Sequence, residues 1–231
     1  RIVSHFRNRG YTENLSLALN KIDSPFFCIL NSDTIVPSLW YERLIAKLEE
    51  MPIACAIGPV SNAASYQSVP EVLSPDGLQF SINECLSSER NDISRYNKIL
   101  NWFAGDRLVQ AMLLNGFCTM FRTRAFLQAG KFDRSSFREG YGEENDLFIK
   151  MGREGWRSFV DPGVFVYHKK SASFGDRRRA ELSKRGNKVL SNLYGEQLRK
   201  EVDTFQAEMW PLKAVRTQFA LMHSFEVDEV S

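Results

Sequence analysis

Short apolar runs and amphipathic segments alternate along the N-terminal part of the chain. The run Phe26–Leu30 is apolar throughout and lies between Pro25 and a polar Asn-Ser-Asp sequence, a pattern that indicates a fully buried strand of a parallel sheet. Residues 37–50 open with proline and repeat apolar residues at helical spacing, which predicts a helix. Residues 53–57 are predicted as a second buried strand. Because buried strands alternate with helices, the predicted fold class is α/β.

The alternation continues to about residue 195. Residues 61–76 are rich in Ser, Asn, Ala and Pro, and they predict a long surface loop of the kind that often carries function. Residues 112–121 are apolar but interrupted by Asn115-Gly116, which predicts a strand with a bend. The remaining elements are predicted as helices over 82–103, 124–129, 143–154 and 177–193, and a strand over 159–167.

Residues 196–231 have a different pattern. Apolar residues recur at helical spacing before Pro211 and again after it. Two amphipathic helices are therefore predicted. We expect residues 1–195 to form one domain and residues 196–231 to form a C-terminal helical extension, or a linker to another part of the polypeptide.

Composition narrows the class of protein. The 231 residues are 43% hydrophobic and 25% charged, which is ordinary for a globular protein. A net charge of +2 is too small to favour nucleic acid as the main partner. The four cysteines form no CxxC pair, so we expect reduced thiols in a cytoplasmic protein. Because the chain begins with Arg1 rather than Met, we expect it to be part of a longer polypeptide.

A candidate ligand site follows the first predicted strand. Asn31, Ser32 and Asp33 come directly after it, and ligands of open α/β sheets bind beyond the carboxyl ends of strands. A carboxylate at this position can hold Mg²⁺ or Mn²⁺ when a diphosphate supplies further oxygen ligands. The alternative is an Asx-type turn that only ends the strand.

Three carboxylates lie within four positions at the start of a predicted helix. Glu143, Glu144 and Asp146 can stabilise that helix through its dipole, by about 0.3–1 kcal/mol each. Their mutual repulsion also favours one protonatable carboxyl group near neutral pH. Glu144 shares a helix face with Leu147 and Met151, so it should be partly desolvated and is a candidate general base.

Imidazole and basic side chains follow the predicted strand 159–167. His168 stands at the end of that strand, and imidazole is a common metal ligand. Lys169 and Lys170 come next, and three consecutive arginines begin the following helix at Arg177. A diphosphate, or the phosphates of a lipid carrier, would explain this basic stretch. The alternative is a solvated face.

Together these residues resemble the inverting family 2 glycosyltransferases of GT-A fold, especially the bacterial enzymes that build O-antigen or capsule polysaccharide. The resemblance covers about residues 8–195 and rests on the order and spacing of five short motifs. The motifs are Asn8-Arg9-Gly10-Tyr11 with Asn14, Asn31-Ser32-Asp33-Thr34, Asn115-Gly116-Phe117-Cys118, Gly142-Glu143-Glu144-Asn145-Asp146-Leu147 and Val166-Tyr167-His168.

The resemblance implies a Rossmann-like mixed sheet flanked by helices, and a metal-dependent sugar transfer in surface polysaccharide biosynthesis. The donor would be a nucleotide sugar, and the acceptor a hydroxyl group of a saccharide or lipid-linked glycan. The implied ligands of Mn²⁺ or Mg²⁺ are Asp33 and His168. Glu144 occupies the position of the family's base and is the implied base. Because the family usually has Asp there, Glu143 and Asp146 are alternatives. The implied donor contacts are Asn8, Asn14, Asn31, Ser32, Asp33, Lys169 and Arg178, and the implied acceptor contacts are Asn115, Gly116, Phe117 and Glu143.

The resemblance also sets expectations beyond the site. The family's first strand and its following helix should precede Arg1, so the sequence is expected to lack the first strand of the nucleotide pocket. Further domains of the same polypeptide, a cytoplasmic location and peripheral association with the inner face of the cell membrane are expected. Two alternatives are a non-catalytic saccharide- or nucleotide-binding module and a nucleotidyltransferase. A nucleotidyltransferase would usually show a glycine-rich, lysine-bearing phosphate loop, and the N-terminal sequence shows none.

Overall fold

The computed structural model describes residues 10–20, 22–72, 83–137, 140–170 and 176–228, apart from the side chains of 176–179 and 225–228. The helices within these ranges are α1 Tyr11–Leu19, α2 Trp40–Glu50, α3 Arg90–Ala104, α4 Thr123–Gln128, α5 Glu143–Arg153, α6 Asp176–Ala207 and α7 Trp210–Asp228. The strands are β1 Phe26–Leu30, β2 Thr34–Ile35, β3 Ala54–Val60, β4 Val109–Ala111, β5 Cys118–Arg122, β6 Arg157–Phe165 and β7 Tyr167–His168.

A mixed five-stranded sheet forms the centre of the fold. Its described strands are ordered β1-β5-β3-β6-β4, and a second sheet pairs β2 with β7. Strands β3 and β6 run parallel, whereas β5 pairs antiparallel with both β1 and β3. One hydrophobic cluster joins α2 to the sheet, and a larger one joins α3, α5 and α7 to it. This mixed sheet flanked by helices confirms the predicted α/β class.

The first strand differs from its prediction. Strand β1 was predicted as a fully buried parallel strand, but it pairs antiparallel with β5 and its burial alternates. Phe27 and Ile29 are buried, whereas Leu30 is 42% exposed. Phe27 stacks on Phe121 of β5 with ring centroids 5.1 Å apart. An apolar run specifies burial but carries no information on strand direction, so the error lies in reading direction from hydrophobicity.

The prediction for residues 61–76 is also wrong over its described part. Residues 61–64 and 67–69 are buried rather than at the surface. Polar side chains of this loop bond to backbone groups that would otherwise be unpaired; Gln67, for example, donates through Nε2 to the Pro59 carbonyl oxygen at 2.7 Å. A Ser/Asn-rich composition fits a solvated loop and a buried, hydrogen-bonded loop equally well, because composition does not show which groups the polar side chains bond to.

The C-terminal helices pack on the sheet domain. Helix α6 bends at Gly195, which has φ 82°, so the helix predicted to close near Gly195 and the next predicted helix meet there. Leu212 and Phe219 of α7 are fully buried, and Tyr96 of α3 contacts Phe219 edge-on at 5.8 Å between ring centroids. The domain division at residue 195 stays a prediction. None of the described helices is long and apolar enough to span a bilayer.

Candidate active site

One corner of the site lies where β2 and β7 pair. Thr34 is opposite His168 in this small sheet, and the N–H of Lys169 donates to the Asp33 carbonyl oxygen at 2.8 Å. These bonds bring the Asp33 carboxylate to the imidazole, with Oδ1 of Asp33 lying 3.4 Å from Nε2 of His168. The structure therefore brings together the two residues predicted to bind metal.

Buried partners hold His168 in one orientation. Its Nδ1 lies 3.1 Å from the Ala63 carbonyl oxygen, and since a carbonyl can only accept, Nδ1 carries the proton of the neutral ring. The ring stacks on Phe117 with centroids 5.3 Å apart. Burial lowers the pKa of His168, although Ala63 and Asp33 oppose that shift. Nε2 therefore keeps its lone pair toward the Asp33 carboxylate, so two electron-pair donors face each other.

This pair fits a cation that takes further ligands from elsewhere. The part of the chain that the structure describes contains no group of three or more His, Cys, Asp and Glu side chains able to hold a metal ion. Mg²⁺ and Mn²⁺ are commonly held by one or two protein ligands together with substrate phosphates and water. The bond from Nδ1 of His168 to a carbonyl is the support that metal-binding histidines usually have.

Asn62 fixes the backbone on which His168 stands. Its side chain accepts the His168 N–H at 2.7 Å and donates to the His168 carbonyl oxygen at 3.1 Å. The Asn62 side chain is completely buried, so this reciprocal pair replaces the bonds of a neighbouring strand. No role for Asn62 is predicted from the sequence, because nothing in its sequence surroundings distinguishes a buried amide from a solvated one.

Glu144, the predicted base, begins the opposite side of the site. Its Oε1 accepts a hydrogen bond from the Tyr11 hydroxyl at 3.2 Å, and the Gly116 backbone amide also stabilises the carboxylate. A Cβ atom at position 116 would lie 1.6 Å from Oε1 of Glu144. Only glycine at 116 allows this approach, which explains that motif position more directly than an acceptor contact. The hydroxyl of Tyr11 was not assigned this contact from the sequence.

Burial raises the pKa of both glutamates at the start of α5. The pKa of Glu144 rises to about 7, although the bonds from Tyr11 and Gly116 oppose the rise. The pKa of Glu143 rises to about 8, through burial first and the Glu144 charge second. Glu143 is 3% exposed, and its Oε2 has no hydrogen-bond partner among the described residues. Two carboxyl groups that titrate near neutral pH suit proton transfer.

Asp146, the third carboxylate of the cluster, has structural partners on both oxygens. The Tyr194 hydroxyl of α6 donates to Oδ1, and Nζ of Lys150 lies 2.6 Å from Oδ2. The Arg153 guanidinium lies over the Tyr194 ring, 4.8 Å from its centroid. Asp146 is completely buried and joins α5 to α6.

Helix α6 also approaches the turn before α5 very closely. A Cβ atom at Gly186 would lie 1.8 Å from the Tyr141 carbonyl oxygen, and one at Gly142 would lie 2.6 Å from Cε1 of Phe137. A glycine inside a helix lowers its stability by roughly 0.5–1 kcal/mol relative to alanine. Gly186 allows a close contact that alanine would prevent. In the sequence, the signal for this contact is a glycine in the middle of the helix predicted over 177–193.

Residues 115–117 connect the two sides of the site. The Asn115 N–H donates to Oε1 of Gln67 at 2.6 Å, and the Phe117 N–H bonds to the Asn115 side chain at 3.3 Å. The predicted donor residue Asn31 is held here too, because its N–H donates to the Phe117 carbonyl oxygen at 2.8 Å. Gln67 is 2% exposed and was not singled out from the sequence.

The other residues predicted to contact the donor are exposed or lie outside the described part of the chain. Ser32, Lys169 and Asn14 are exposed, with Ser32 and Lys169 adjacent in sequence to the Asp33–His168 corner. Asn8 lies outside the described residues. Arg178 belongs to α6, but its side chain lies outside the description. Their roles therefore stay predictions.

Solved structures share the fold of this chain. The chain is similar to the solved structure of GalNAc-T7 with UDP, GalNAc and Mn²⁺, with a TM-score of 0.52 and 13% sequence identity over 94% of this chain and 42% of that one. At this identity the likeness shows the fold, which is the GT-A fold of glycosyltransferases. A mannosyltransferase from Pyrobaculum calidifontis, solved with GDP-Man and Mn²⁺, is similar at a TM-score of 0.44 and 13% identity over 98% of this chain and 70% of that one.

Residues 1–105 match the family model for Glycosyl transferase family 2. This is the family that the motifs of the chain resemble, and the match covers the N-terminal 105 of the 231 residues. The chain is also 40% identical over 62 residues to N-acetylglucosaminyl-diphospho-decaprenol L-rhamnosyltransferase of Mycobacterium tuberculosis, in strains CDC 1551 / Oshkosh and ATCC 25618 / H37Rv. That match covers 27% of this chain and only 20% of the relatives' length.

Proposed function

We propose that the protein transfers a sugar, with inversion at the anomeric carbon, from a nucleotide-sugar donor to a hydroxyl group of a saccharide or lipid-linked glycan. The observation that carries this proposal is the position of residues 115–117. Gly116 contacts the carboxylate of Glu144, whereas the adjacent Phe117 stacks on His168, whose Nε2 lies 3.4 Å from Asp33. A candidate base and a candidate diphosphate site therefore adjoin one short segment.

Glu144 is the proposed general base. With a pKa of about 7, a substantial fraction of Glu144 is ionised at neutral pH and is still basic enough to accept a hydroxyl proton. The acceptor oxygen forms a bond to the anomeric carbon as the bond from that carbon to the diphosphate oxygen breaks, and the proton passes to Glu144. Attack opposite the leaving group inverts the configuration.

The contacts of the other two carboxyl groups support different roles. Both oxygens of Asp146 are occupied by Tyr194 and Lys150, so we assign Asp146 to positioning of α5. Glu143, with a pKa of about 8, is mostly protonated at neutral pH. In that form it can donate a hydrogen bond to a substrate oxygen.

We assign Asp33 and His168 to the leaving-group side. They would hold Mn²⁺ or Mg²⁺, which when bound neutralises charge on the departing nucleoside diphosphate. Burial favours the neutral form of His168, and the Ala63 carbonyl holds the ring proton at Nδ1, which leaves Nε2 available as a ligand. Contacts to the donor are proposed for Asn8, Asn14, Asn31, Ser32, Lys169 and Arg178. The fold relative solved with UDP, GalNAc and Mn²⁺ supports the choice of donor class and of Mn²⁺ as the cation to test.

The mycobacterial relative suggests the acceptor class. Its name specifies transfer of L-rhamnose to an N-acetylglucosaminyl-diphospho-decaprenol, which supports a lipid-diphosphate acceptor in surface polysaccharide biosynthesis. A cytoplasmic location, peripheral association with the membrane and further domains of the same polypeptide are part of the proposal. A lipid-diphosphate acceptor supports the location and the membrane association.

A donor screen tests the proposal. Nucleotide sugars, including a rhamnosyl donor, are incubated with and without Mn²⁺ and with saccharide or polyprenyl-diphosphate acceptors, and release of nucleoside diphosphate is measured. We expect Mn²⁺-dependent release with at least one donor. Asp33→Ala should abolish release and weaken Mn²⁺ binding by calorimetry, with little change in thermal stability. Donor binding without any release from wild-type protein would instead support a non-catalytic binding module.

A further inference from the structure

Two polar side chains of the C-terminal helices reach the loops that support residues 115–117. Gln206, near the end of α6, is 6% exposed. Its Oε1 accepts the N–H groups of Met112 and Leu113 at 2.9 and 3.5 Å, and its Nε2 donates to the Leu113 carbonyl oxygen at 3.0 Å. One amide side chain thus satisfies three backbone groups immediately before Asn115.

Arg216 of α7 holds the other supporting loop. Its Nε donates to the Ser68 carbonyl oxygen at 2.8 Å, and its Nη2 donates to the Tyr66 carbonyl oxygen. These two carbonyls flank Gln67, whose Oε1 accepts the Asn115 N–H at 2.6 Å. A planar guanidinium can bind two carbonyls in fixed relative positions, which an ammonium group cannot do.

A continuous set of bonds therefore runs from the C-terminal helices to the proposed base. Arg216 fixes the backbone on both sides of Gln67, Gln67 fixes Asn115, and the next residue, Gly116, contacts Glu144. Gln67 is itself held by its bond to Pro59. Because a Cβ atom at position 116 would lie 1.6 Å from the Glu144 carboxylate, a small shift of this segment changes the surroundings of that carboxylate.

We propose that Gln206 and Arg216 are positioning residues for the sugar transfer: they hold Gly116 against Glu144 from the C-terminal helices. This inference rests on the proposed function for its kinetic consequence, and its structural part can be measured without substrate. The C-terminal helices then support the active site, although they lie beyond the residues that match the family model.

The test follows the Gly116 amide by NMR. Asn115-Gly116 is the only Asn-Gly pair in the sequence, so labelling with carbonyl-¹³C asparagine and ¹⁵N glycine gives one amide signal that belongs to Gly116. Its chemical shift and its pH midpoint are compared in wild type, Arg216→Met, Arg216→Lys and Gln206→Leu. The controls are Lys213→Met and Gln218→Leu, whose side chains are exposed on α7. Thermal melting identifies any variant that fails to fold.

We expect the Gly116 signal and its pH midpoint to move in Arg216→Met and Gln206→Leu, to move less in Arg216→Lys, and to stay in place in the controls. Turnover should fall by ~10-fold or more, with a smaller change in KM, because a misplacement near 1 Å can cost up to 100-fold. An unchanged Gly116 signal in the folded Arg216→Lys and Gln206→Leu variants, or an equal change in the controls, would overturn the inference. If wild type turns over no donor, the proposed function fails, while the NMR comparison still decides this inference.

Discussion

Two buried carboxylate regions of the molecule have opposite surroundings. Asp161 of β6 is completely buried, with Oδ2 lying 2.7 Å from Nε of Arg43 and Oδ1 accepting from Nη2 of Arg43 at 3.0 Å and from the Gly163 N–H at 2.9 Å. Glu143 is almost as buried, but its Oε2 has no hydrogen-bond partner among the described residues and its neighbour is another carboxyl group, Glu144.

The pairing of these carboxyl groups distinguishes one that stabilises the fold from those suited to proton transfer. Burying an ionised group costs several kcal/mol unless it is paired, and Arg43 provides that pairing for Asp161. The glutamates of α5 are instead kept protonatable near neutral pH. Carboxyl groups with strongly shifted pKa values cluster at functional sites for this reason. Substitutions in the two regions should therefore affect different measurements.

The largest effect is expected for Glu144→Gln. The amide keeps the size of the side chain but cannot accept the acceptor proton, so turnover should fall by ~10²–10⁴-fold. Stability should stay the same or increase, because a carboxyl group whose ionisation is opposed by desolvation is replaced by a neutral amide. Initial rates and urea denaturation measure the two quantities. The matched control is Glu154→Gln, an exposed glutamate just beyond α5, which should leave the rate unchanged.

The comparison would be broken if Asp146→Asn, rather than Glu144→Gln, abolished turnover in folded protein. That result would move the base to a carboxylate that the structure pairs with Tyr194 and Lys150. It would also show that complete pairing does not identify a structural carboxylate.

Gly116→Ala should have the next largest effect. The added methyl group would lie 1.6 Å from Oε1 of Glu144, so either the segment or the carboxylate must move, and we expect a loss of ~10–100-fold in kcat. Gly152→Ala is the matched control, because a Cβ atom there meets no atom within 4 Å. Alanine within α5 should increase stability by about 0.5–1 kcal/mol. Equal activity of the two variants would contradict the assigned contact.

Asp161→Asn should have the opposite effect to Glu144→Gln: a loss of stability with unchanged turnover. It leaves the Arg43 guanidinium without its counter-charge and should lower the free energy of unfolding by about 2 kcal/mol, less than for a fully buried pair because Arg43 is partly exposed. Turnover per folded molecule should not change. Asp106→Asn is the control and should have little effect, because the Asp106 carboxylate, which pairs with Lys47, is exposed. A selective loss of turnover in Asp161→Asn would show that β6 belongs to the site.

Local pattern identified much of this architecture. The apolar runs at Phe26–Leu30 and 53–57 are strands, and the carboxylates of 143–146 begin a helix as expected. The sequence also pointed to Asp33 and His168, which the structure places side by side. These features depend on short-range periodicity and on motif spacing, both of which are readable in a single sequence.

Features that depend on long-range partners were not readable in this way. The direction of β1 depends on its pairing with β5, nearly a hundred residues later. Gln67 and Asn62 look like solvated loop residues until their backbone partners are known. Gln206 and Arg216 lie in a region whose pattern indicates only amphipathic helices. In each case the deciding bond joins residues far apart in sequence, so composition and periodicity carry no signal for it.

The smallest effect is a change in how stability depends on pH. The pKa of Glu143 is about 8 when folded, against an ordinary value of 4.5. Between these values the folded protein binds a proton that the unfolded chain does not. The free energy of unfolding therefore decreases as pH rises from about 5 to 8. The stabilisation due to the proton on Glu143 is complete only below the pKa of the unfolded chain. Glu143→Gln should remove this dependence, which amounts to up to about 1.4 kcal/mol per pH unit. The pH dependence due to Glu144 should remain. Urea denaturation at pH 5, 6, 7 and 8 measures it, with the exposed Glu208→Gln as control. Parallel curves for wild type and Glu143→Gln would mean that Glu143 is paired or solvated in solution, and the contrast with Asp161 would then rest on Glu144 alone.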